Sequence, residues 1–299
     1  MQYCMRILGL GTARLIDVAR YKAPTARLRR LALELRQLRE QAGLTHQQVT
    51  EATGLVPSTL FRLESAKARP QVRTLRTLLD VYRVRDERRE ELEALLKAAS
   101  EQTWLQPASE HLPGPYAAYI GFEQEATTLL NYESSFVPGL LQTEKYARAV
   151  IAGSAPNASQ AEVEGRVAAR LKRQELLTLS EPLELQAVID EAVLRRNVGG
   201  KAVMRAQIER LKEAIHLPNI TLRVIAFDAG AHPGMYGSFA ILRFREARDV
   251  VYVESSTSDL FLESQEDIAG YNVMFEHLMA TAADAKATEV VLAHALEEA

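Results

Sequence analysis

The chain has 299 residues, of which 47% are hydrophobic and 25% are charged, a composition typical of a folded protein long enough for two domains. Its single cysteine excludes an internal disulfide framework, and charged residues from Arg6 onward interrupt the apolar N-terminal run before a signal peptide or membrane span is complete. We therefore expect a cytoplasmic protein without membrane contact.

The net charge of −3 is unevenly distributed along the chain. Residues 1–85 contain 16 Lys and Arg against 6 Asp and Glu, a net charge of +10, whereas residues 86–299 contain 20 against 33, a net charge of −13. A basic first part suits a polyanion such as DNA, but a solvated arginine-rich helix face gives the same charge. Charge alone therefore does not decide between the two interpretations.

A helical pattern begins near residue 25. Leucines recur at three- and four-residue steps from Leu28 to Leu38, with arginines on the other faces, which predicts an amphipathic helix that ends at Gly43. Residues 1–24 are predicted to be an N-terminal extension, and the sequence leaves open whether it is ordered.

The second and third helices are short and are joined by a glycine. Thr45 and Gln48 form a capping-box pattern, in which the two side chains satisfy backbone amides at the start of the second helix. Gly54 ends that helix, and Pro57 begins the third, because the first turn of a helix does not need the missing amide proton. The third helix has an inner stripe formed by Leu60 and Leu63.

Two more amphipathic helices, at 71–81 and 86–99, complete a predicted five-helix domain that spans residues 25–99. Residues 100–116 contain three prolines and a glycine and are predicted to be a linker. Residues 117–299 alternate strand-like and helical segments, which predicts an α+β or α/β domain. The strand-like runs are 127–133, 183–190, 220–227, 238–244 and 250–255, and the helical segments are 144–152, 161–179, 201–215, 266–283 and 284–297.

Two short helices joined by a tight glycine turn form a helix-turn-helix, whose second helix enters the major groove of DNA. Residues 28–81 resemble the lambda-repressor-like (Xre) helix-turn-helix domain, whose members commonly have LTxxxLAxxxGVSxSTISRIExGxxxP where this chain has LTHQQVTEATGLVPSTLFRLESAKARP. Three positions differ from the family pattern: His46 replaces glutamine, Thr50 replaces alanine, and Val56 stands where a serine caps the third helix. The resemblance implies DNA binding, but the identity of the DNA sequence does not transfer.

With Leu60 and Leu63 inward, the third helix presents its opposite face to a groove. Phe61 is then placed to contact a thymine methyl, Ser58 a base edge or phosphate, and Arg62 a guanine or the backbone. Packing of Phe61 against a neighbouring helix or a partner remains an alternative, as does a local ion pair of Arg62. Basic residues off this helix, and the first turn of the second helix, are assigned to phosphates. The predicted DNA-binding residues are His46, Gln47, Val56, Pro57, Ser58, Phe61, Arg62, Lys67, Arg69, Arg29, Arg30 and Arg73.

The segments FVPGLLQTEKYARAVI, VIDEAVLRRNVGG and GAHPGMYGSFAILRF resemble the C-terminal domain of a large set of actinobacterial antitoxin-like regulators. This resemblance covers most of 25–297 and implies a transcriptional regulator encoded beside a small partner protein. A homodimer with half-sites about one helical turn apart is compatible with it. The loop at 229–239 is predicted to be a long hairpin or cleft-edge loop. Candidate partner or ligand contacts are Leu140, Leu141, Gln142, Glu191, His232 and Tyr236, with structural anchoring favoured for the two leucines.

No enzyme, cofactor or metal site is predicted. The candidate catalytic groups lie far apart in sequence, the six histidines lack metal-ligand spacing, and no nucleophile motif surrounds a serine. The alternative to a DNA-binding regulator is a protein-interaction module, whose helix-turn-helix fold binds a partner and whose acidic second part docks a basic protein.

Overall fold

The computed structural model describes residues 26–99, 114–245, 247–255 and 259–299. The extension predicted at 1–24 and most of the predicted linker therefore lie outside the described residues. Within the described part, no helix is long and apolar enough to cross a membrane.

The first part of the chain folds into five helices that enclose one apolar core. Leu35, Val49, Leu60 and Leu75 come from different helices and are completely buried in it. The helices are α1 (Ala26–Gln41), α2 (His46–Thr53), α3 (Pro57–Glu64), α4 (Val72–Val81) and α5 (Asp86–Ala98). The predicted all-α domain with a helix-turn-helix is confirmed.

Local sequence signals set the ends of α2 and α3. Thr45 and Gln48 form the complete capping box, and Gly54 ends α2 with a φ of +71°, a left-handed conformation that other residues rarely adopt. Val56 provides no side-chain cap to α3, and Pro57 occupies its first turn. The missing cap forfeits about 0.5–2 kcal/mol, which the fixed φ of proline partly offsets.

The second part contains a mixed six-stranded sheet with strand order β3-β2-β1-β4-β5-β6. Strands β1, β2 and β3 are parallel, and the remaining pairs are antiparallel. The strands are β1 (Thr128–Glu133), β2 (Glu184–Asp190), β3 (Ile220–Ile225), β4 (Phe239–Arg243), β5 (Val250–Glu254) and β6 (Asp259–Leu262). The predicted combination of helices and sheet is confirmed.

Helices cover both faces of the sheet because alternate strand residues point to opposite sides. The helices are α6 (Gly114–Glu125), α7 (Glu144–Ser154), α8 (Gln160–Arg173), α9 (Ala192–Arg195), α10 (Lys201–Ala214), α11 (Gln265–Thr281) and α12 (Ala285–Glu298). Leu129 and the strand residues on its side of the sheet form one apolar core with residues of all these helices except α11. Leu130 and the strand residues on the other side form a second core with Phe275 and Leu278 of α11.

Helix α6, the four-residue helix α9 and strand β6 were not predicted. Helix α6 begins at Gly114, inside the segment assigned to the linker, because Pro115 can occupy a first helical turn as well as a loop. Strand β6 has only four residues and lies at the sheet edge, where strands are short and the apolar alternation is weak.

The loop between β3 and β4 is not a hairpin, because β2 and β1 lie between these strands. It contains two short 3₁₀ helices, Phe227–Ala229 and Pro233–Tyr236. Gly234 packs so closely on Tyr132 that a Cβ atom there would lie 2.2 Å from the ring Cζ atom. Of the two predicted alternatives the hairpin is therefore wrong, because Gly234 packs closely on the sheet instead of serving a two-strand turn, and the cleft-edge loop stays a prediction.

Candidate nucleic-acid interface

Helix α3 has one buried face and one exposed face, as its leucine spacing predicts. Leu60 and Leu63 are buried, whereas Phe61 retains 55% and Val56 retains 62% of their accessible surface. Pro57, Ser58 and Arg62 are also exposed, on the same side as Phe61. Phe61 and Val56 thus leave apolar surface exposed on the helix that the helix-turn-helix geometry directs toward a DNA groove, so this face is a candidate contact surface.

Phe61 lies beside a cation at the end of the helix. The Nζ atom of Lys67 is 5.6 Å from the centre of the Phe61 ring, and the Ser65 hydroxyl donates a 2.7 Å hydrogen bond to the Phe61 carbonyl. The ammonium group over the ring is weakly attracted to it and extends the positive charge of the exposed face.

Four exposed cations lie on α3, on the segment after it and in the first turn of α4, and we call them the basic surface: Arg62, Lys67, Arg69 and Arg73. Within the described part of the chain, none of them has a carboxylate within 4.0 Å. Other arginines of the domain do have such partners, for example Arg76 with Glu93 at 2.6 Å and Arg89 with Asp80 at 2.5 Å. The predicted ion-pair alternative for Arg62 therefore finds no partner among the described residues, and uncompensated positive charge is concentrated beside α3.

A buried ion pair, which we call the Arg39–Glu64 bridge, fixes α3 to α1. Arg39 donates from Nε to one oxygen of Glu64 at 2.8 Å and from Nη2 to the other at 3.0 Å, and its Nη1 donates to the Leu44 carbonyl at 3.0 Å. This hydrogen bonding raises the pKa of Arg39 above its ordinary value. Neither residue is among the predicted DNA-binding residues, although Glu64 is the glutamate of the matched RLE motif.

The start of α2 joins the same cluster. The Nε2 atom of His46 lies 2.9 Å from Glu64 Oε2, and Gln47 is exposed with its amide donating to Glu51 at 3.0 Å. The structure thus brings His46 next to the end of α3, and leaves Gln47 on the surface. The first turn of α2 also has backbone amides without intrahelical partners, so a phosphate contact of His46 and Gln47 stays a prediction.

The structure places Arg29 away from the basic surface, which corrects its assignment to phosphate. Its guanidinium lies 4.4 Å from the centre of the Phe122 ring in α6 and pairs with Glu263. The backbone amide of Arg27 donates to Glu125 at 3.0 Å, so the first turn of α1 packs against the second part of the chain. Arg30 follows on α1, is half-buried and has its own contact within the protein.

Three of the predicted partner contacts are buried. Leu140, Leu141 and Gln142 retain at most 3% of their accessible surface. The Gln142 amide donates to the Val137 carbonyl at 2.7 Å and its oxygen accepts from Arg170 at 3.0 Å. These residues therefore anchor their segment inside the protein, as the structural alternative predicts, and in this structure a partner cannot contact them.

The other three predicted partner residues meet at the loop between β3 and β4. Glu191 accepts hydrogen bonds from the Phe227 amide at 3.0 Å and from Arg195 at 2.9 Å, and so holds the loop. His232 is buried, with Nε2 3.5 Å from an oxygen of Asp190, whereas Tyr236 retains 94% of its accessible surface. Only Tyr236 among the three is open to a partner over most of its side chain.

A half-buried glutamate at the end of β1 was not predicted. Desolvation of its carboxyl group, with a smaller contribution from the charge of Glu254, raises the pKa of Glu133 from 4.5 to about 7, although hydrogen bonds from Ser238 and Asn131 and the charge of Arg170 oppose the shift. The group is thus protonated at a pH at which an exposed glutamate is charged.

We expect Glu133→Gln to stabilise the protein above about pH 4.5, with the full effect above about pH 7. Below pH 4.5 the carboxyl is protonated in both states, but between 4.5 and about 7 the unfolded chain loses its proton first, so folding stability falls as the pH rises. The glutamine amide does not ionise, so the variant has no such penalty. Its free energy of unfolding should exceed that of the wild type by up to about 3 kcal/mol above pH 7 and should equal it near pH 4. Thermal melts of wild type and variant at both pH values measure the difference, and Glu276→Gln, an exposed carboxylate of α11, is the control. An equal difference at both pH values would contradict the assignment.

Comparison with known families agrees with this division of the chain. Residues 30–92 match a family described as a helix-turn-helix domain, and residues 116–294 match one described as a domain of unknown function, DUF5753. No curated protein and no solved structure matches the chain. The matched descriptions name neither the Xre subtype nor an actinobacterial source, so both stay predictions.

Proposed function

Because the chain belongs to the DUF5753 family and carries a helix-turn-helix domain before that domain, we propose that it is a sequence-specific DNA-binding transcriptional regulator. The observation that carries the proposal is the placement of charge. The exposed face of α3 presents Phe61 and Arg62, and the cations of the basic surface lie on or directly after this helix without carboxylate partners in the described part of the chain.

The dimensions of α3 suit the major groove. A helix with its side chains is about 10–12 Å across and the groove is about 12 Å wide, so the groove admits one helix, and the eight residues of α3 extend about 12 Å along it. Arg62 is placed for a guanine edge and Phe61 for a thymine methyl, while Lys67, Arg69 and Arg73 reach phosphates on either side. The Arg39–Glu64 bridge holds the helix in one orientation during contact.

We further propose that the second domain binds a small partner protein or a signal, in an antitoxin-like role, and supports a homodimer. The resemblance to antitoxin-like regulators supports the partner, and paired half-sites are the usual arrangement for helix-turn-helix dimers. Partner or signal binding changes DNA affinity only if it favours one of two conformations of the protein.

Salt dependence of DNA binding tests the proposed phosphate contacts. Each contact contributes about −0.9 to the slope of log affinity against log salt concentration, so three contacts give a slope of about −3 for each protein chain. We expect Arg73→Ala to reduce the steepness by about 1 and to weaken binding equally on all duplexes. Fluorescence anisotropy over a salt series measures both quantities.

The same helix supplies the control. Arg76 lies three residues after Arg73 on α4 but is paired with Glu93, so Arg76→Ala should leave the slope unchanged. A shallow slope for the wild type, with no effect of Arg73→Ala, would instead favour the protein-interaction alternative.

A further inference from the structure

Helix α11 has a solvent side that is not uniformly polar. Six of its exposed residues lie along one side, and we call them the outer face: Glu266, Ala269, Gly270, Val273, Glu276 and His277. The middle of the outer face is small and apolar, and Val273 retains 66% of its accessible surface. The solvent side of a surface helix ordinarily carries charged and polar residues throughout. The outer face therefore leaves apolar surface exposed between its carboxylates.

The fold does not require the glycine at the centre of the outer face. A glycine inside a helix lowers the stability of that helix relative to alanine. The φ of Gly270 is not positive, and a Cβ atom added to it would meet no other atom of the described chain within 4 Å. A partner that packs on α11 does benefit, because a residue without a side chain lets another backbone approach closely.

The loop between β3 and β4 adds two larger apolar side chains beside α11. Its second short helix contacts α11, and Met235 retains 71% and Tyr236 retains 94% of their accessible surface. The backbone at this point is fixed, because Gly234 packs closely on Tyr132 and its carbonyl accepts a 3.0 Å hydrogen bond from the Gly237 amide. Tyrosine and methionine are enriched in protein interfaces, so a fixed loop that exposes both is suited to contact a protein.

The ionic charge of α11 has one sign. The helix contains three carboxylates and no lysine or arginine: Glu266, Asp267 and Glu276. None of the three has a cation within 4.0 Å among the described residues. Two arginines of the sheet reach α11, but Arg223 donates to the Met279 carbonyl at 2.9 Å and Arg243 donates to the Asn272 side chain at 2.6 Å. The negative charge of the outer face is therefore available to a basic partner.

A basic helix fits this surface better than a second copy of the chain does. Glu266 and Glu276 are ten positions apart, about 15 Å along the helix axis, so cationic side chains near the two ends of a short helix can reach both. In an antiparallel two-fold pair of α11 helices, Glu266 of one copy would instead approach Glu276 of the other. Residues 249–299 contain 11 Asp and Glu against one Lys, so such a pair brings like charges together.

We propose that the outer face of α11, flanked by Met235 and Tyr236, binds a basic amphipathic helix of the partner protein. The inference rests on the proposed partner-binding role of the second domain and names the surface and the chemistry of the partner. Apolar side chains of the bound helix pack over Gly270 and Val273, and its lysines or arginines pair with the carboxylates of the outer face. The outer face contains none of the predicted DNA-binding residues, so its binding can be measured without DNA.

Fluorescence anisotropy of a labelled peptide titrated with the full-length protein tests the proposal. The probe is a helical peptide with leucines along one side and lysines along the other, and a second probe has glutamates in place of the lysines. We expect only the lysine peptide to bind, and at least about tenfold weaker binding in Val273→Ser, Tyr236→Ser and Glu276→Lys. The matched controls on α12 are Val290→Ser and Glu289→Lys, two residues that are also exposed, and both should bind as the wild type does.

A substitution at Gly270 distinguishes loss of binding from loss of folding. Glutamine favours a helix more than glycine does and meets no atom of the described chain here, so Gly270→Gln should melt at or above the temperature of the wild type. Its side chain covers the middle of the outer face and should weaken binding of the lysine peptide by about tenfold. Wild-type affinity in Gly270→Gln would overturn the proposed packing.

Other results would assign the outer face differently. Equal binding of the two peptides, or equal effects of the α11 and α12 variants, would overturn the proposal. A wild-type dimer that dissociates in Gly270→Gln, measured by sedimentation, would assign the face to a second copy. Binding that requires removal of residues 1–24 would assign it to that basic segment of the chain. If the small protein encoded nearby binds the wild type and the α11 variants equally, the proposed partner role stands and only this surface is wrong.

Discussion

Simultaneous replacement of Phe61 and Arg62 by alanine is expected to abolish sequence-specific DNA binding and to leave the fold intact. Both side chains lie on the exposed face of α3, so their removal opens no cavity in the core. Each well-formed base contact contributes about 1–3 kcal/mol of discrimination, so the loss of two weakens specific binding by a factor of about 30 to 10⁴. Nonspecific binding, which depends on phosphates, should fall far less.

Gel-shift titration measures this difference on a duplex that the wild-type protein selects from a random library, compared with an unrelated duplex. The matched control replaces an apolar and a basic residue that are equally exposed but distant from α3, Val290 on α12 and Arg205 on α10. Unchanged selectivity in the Phe61 and Arg62 variant would remove α3 from base recognition. Loss of selectivity in the control would attribute the effect to general damage.

The single variants distinguish the contribution of Phe61 to DNA recognition from that of Arg62. Phe61→Ala should reduce the preference for thymine at one position of the selected site, because adenine, guanine and cytosine lack that methyl group. Arg62→Ala should relax a guanine position, and it also removes one positive charge from the basic surface. If Phe61 is instead covered by a protein partner, its replacement leaves the selected DNA sequence unchanged.

The helix-turn-helix was predictable because its signals are local. The capping box, Gly54, Pro57 and the two inner leucines of α3 all act within about twenty residues of each other, and the structure has each where the pattern places it. The exposure of Phe61 follows from the same spacing. The face of a short helix is thus accessible to sequence reasoning even where the DNA sequence it binds is not.

Long-range pairing explains what the sequence could not provide. Arg29 appears equivalent to other arginines near α3 until the fold brings it to Phe122, 93 positions away. The surroundings of Glu133 depend in the same way on the sheet, because the pairing of β1 with β4 brings Ser238 to its carboxyl group from 105 positions away. Composition gives the number of charges in a domain, but only the fold determines which of them remain unpaired.

The Arg39–Glu64 bridge should have the largest effect on the stability of the first domain. Glu64→Leu leaves the guanidinium of Arg39 buried without its partner, and we expect a loss of about 3–5 kcal/mol. Arg39→Met combined with Glu64→Leu removes both charges, so the double variant should regain most of that stability. Urea denaturation, with amide hydrogen exchange of α1 and α3 to localise the effect, measures both values.

An exposed ion pair in the same domain provides the comparison. Arg76 of α4 and Glu93 of α5 pair at 2.6 Å without touching the bridge, and replacing both should change stability by less than about 1 kcal/mol. A similarly small loss in Glu64→Leu would show that water reaches the bridge and that α3 is held by its leucines alone. A third outcome would separate a packing role of the bridge from an orienting role. In it, Glu64→Leu loses much folding stability, the double variant regains that stability, and the DNA affinity of the double variant remains low. The packing of α3 against α1 would then depend only on filled volume, whereas its orientation toward the groove, with His46 beside it, would require the ion pair itself.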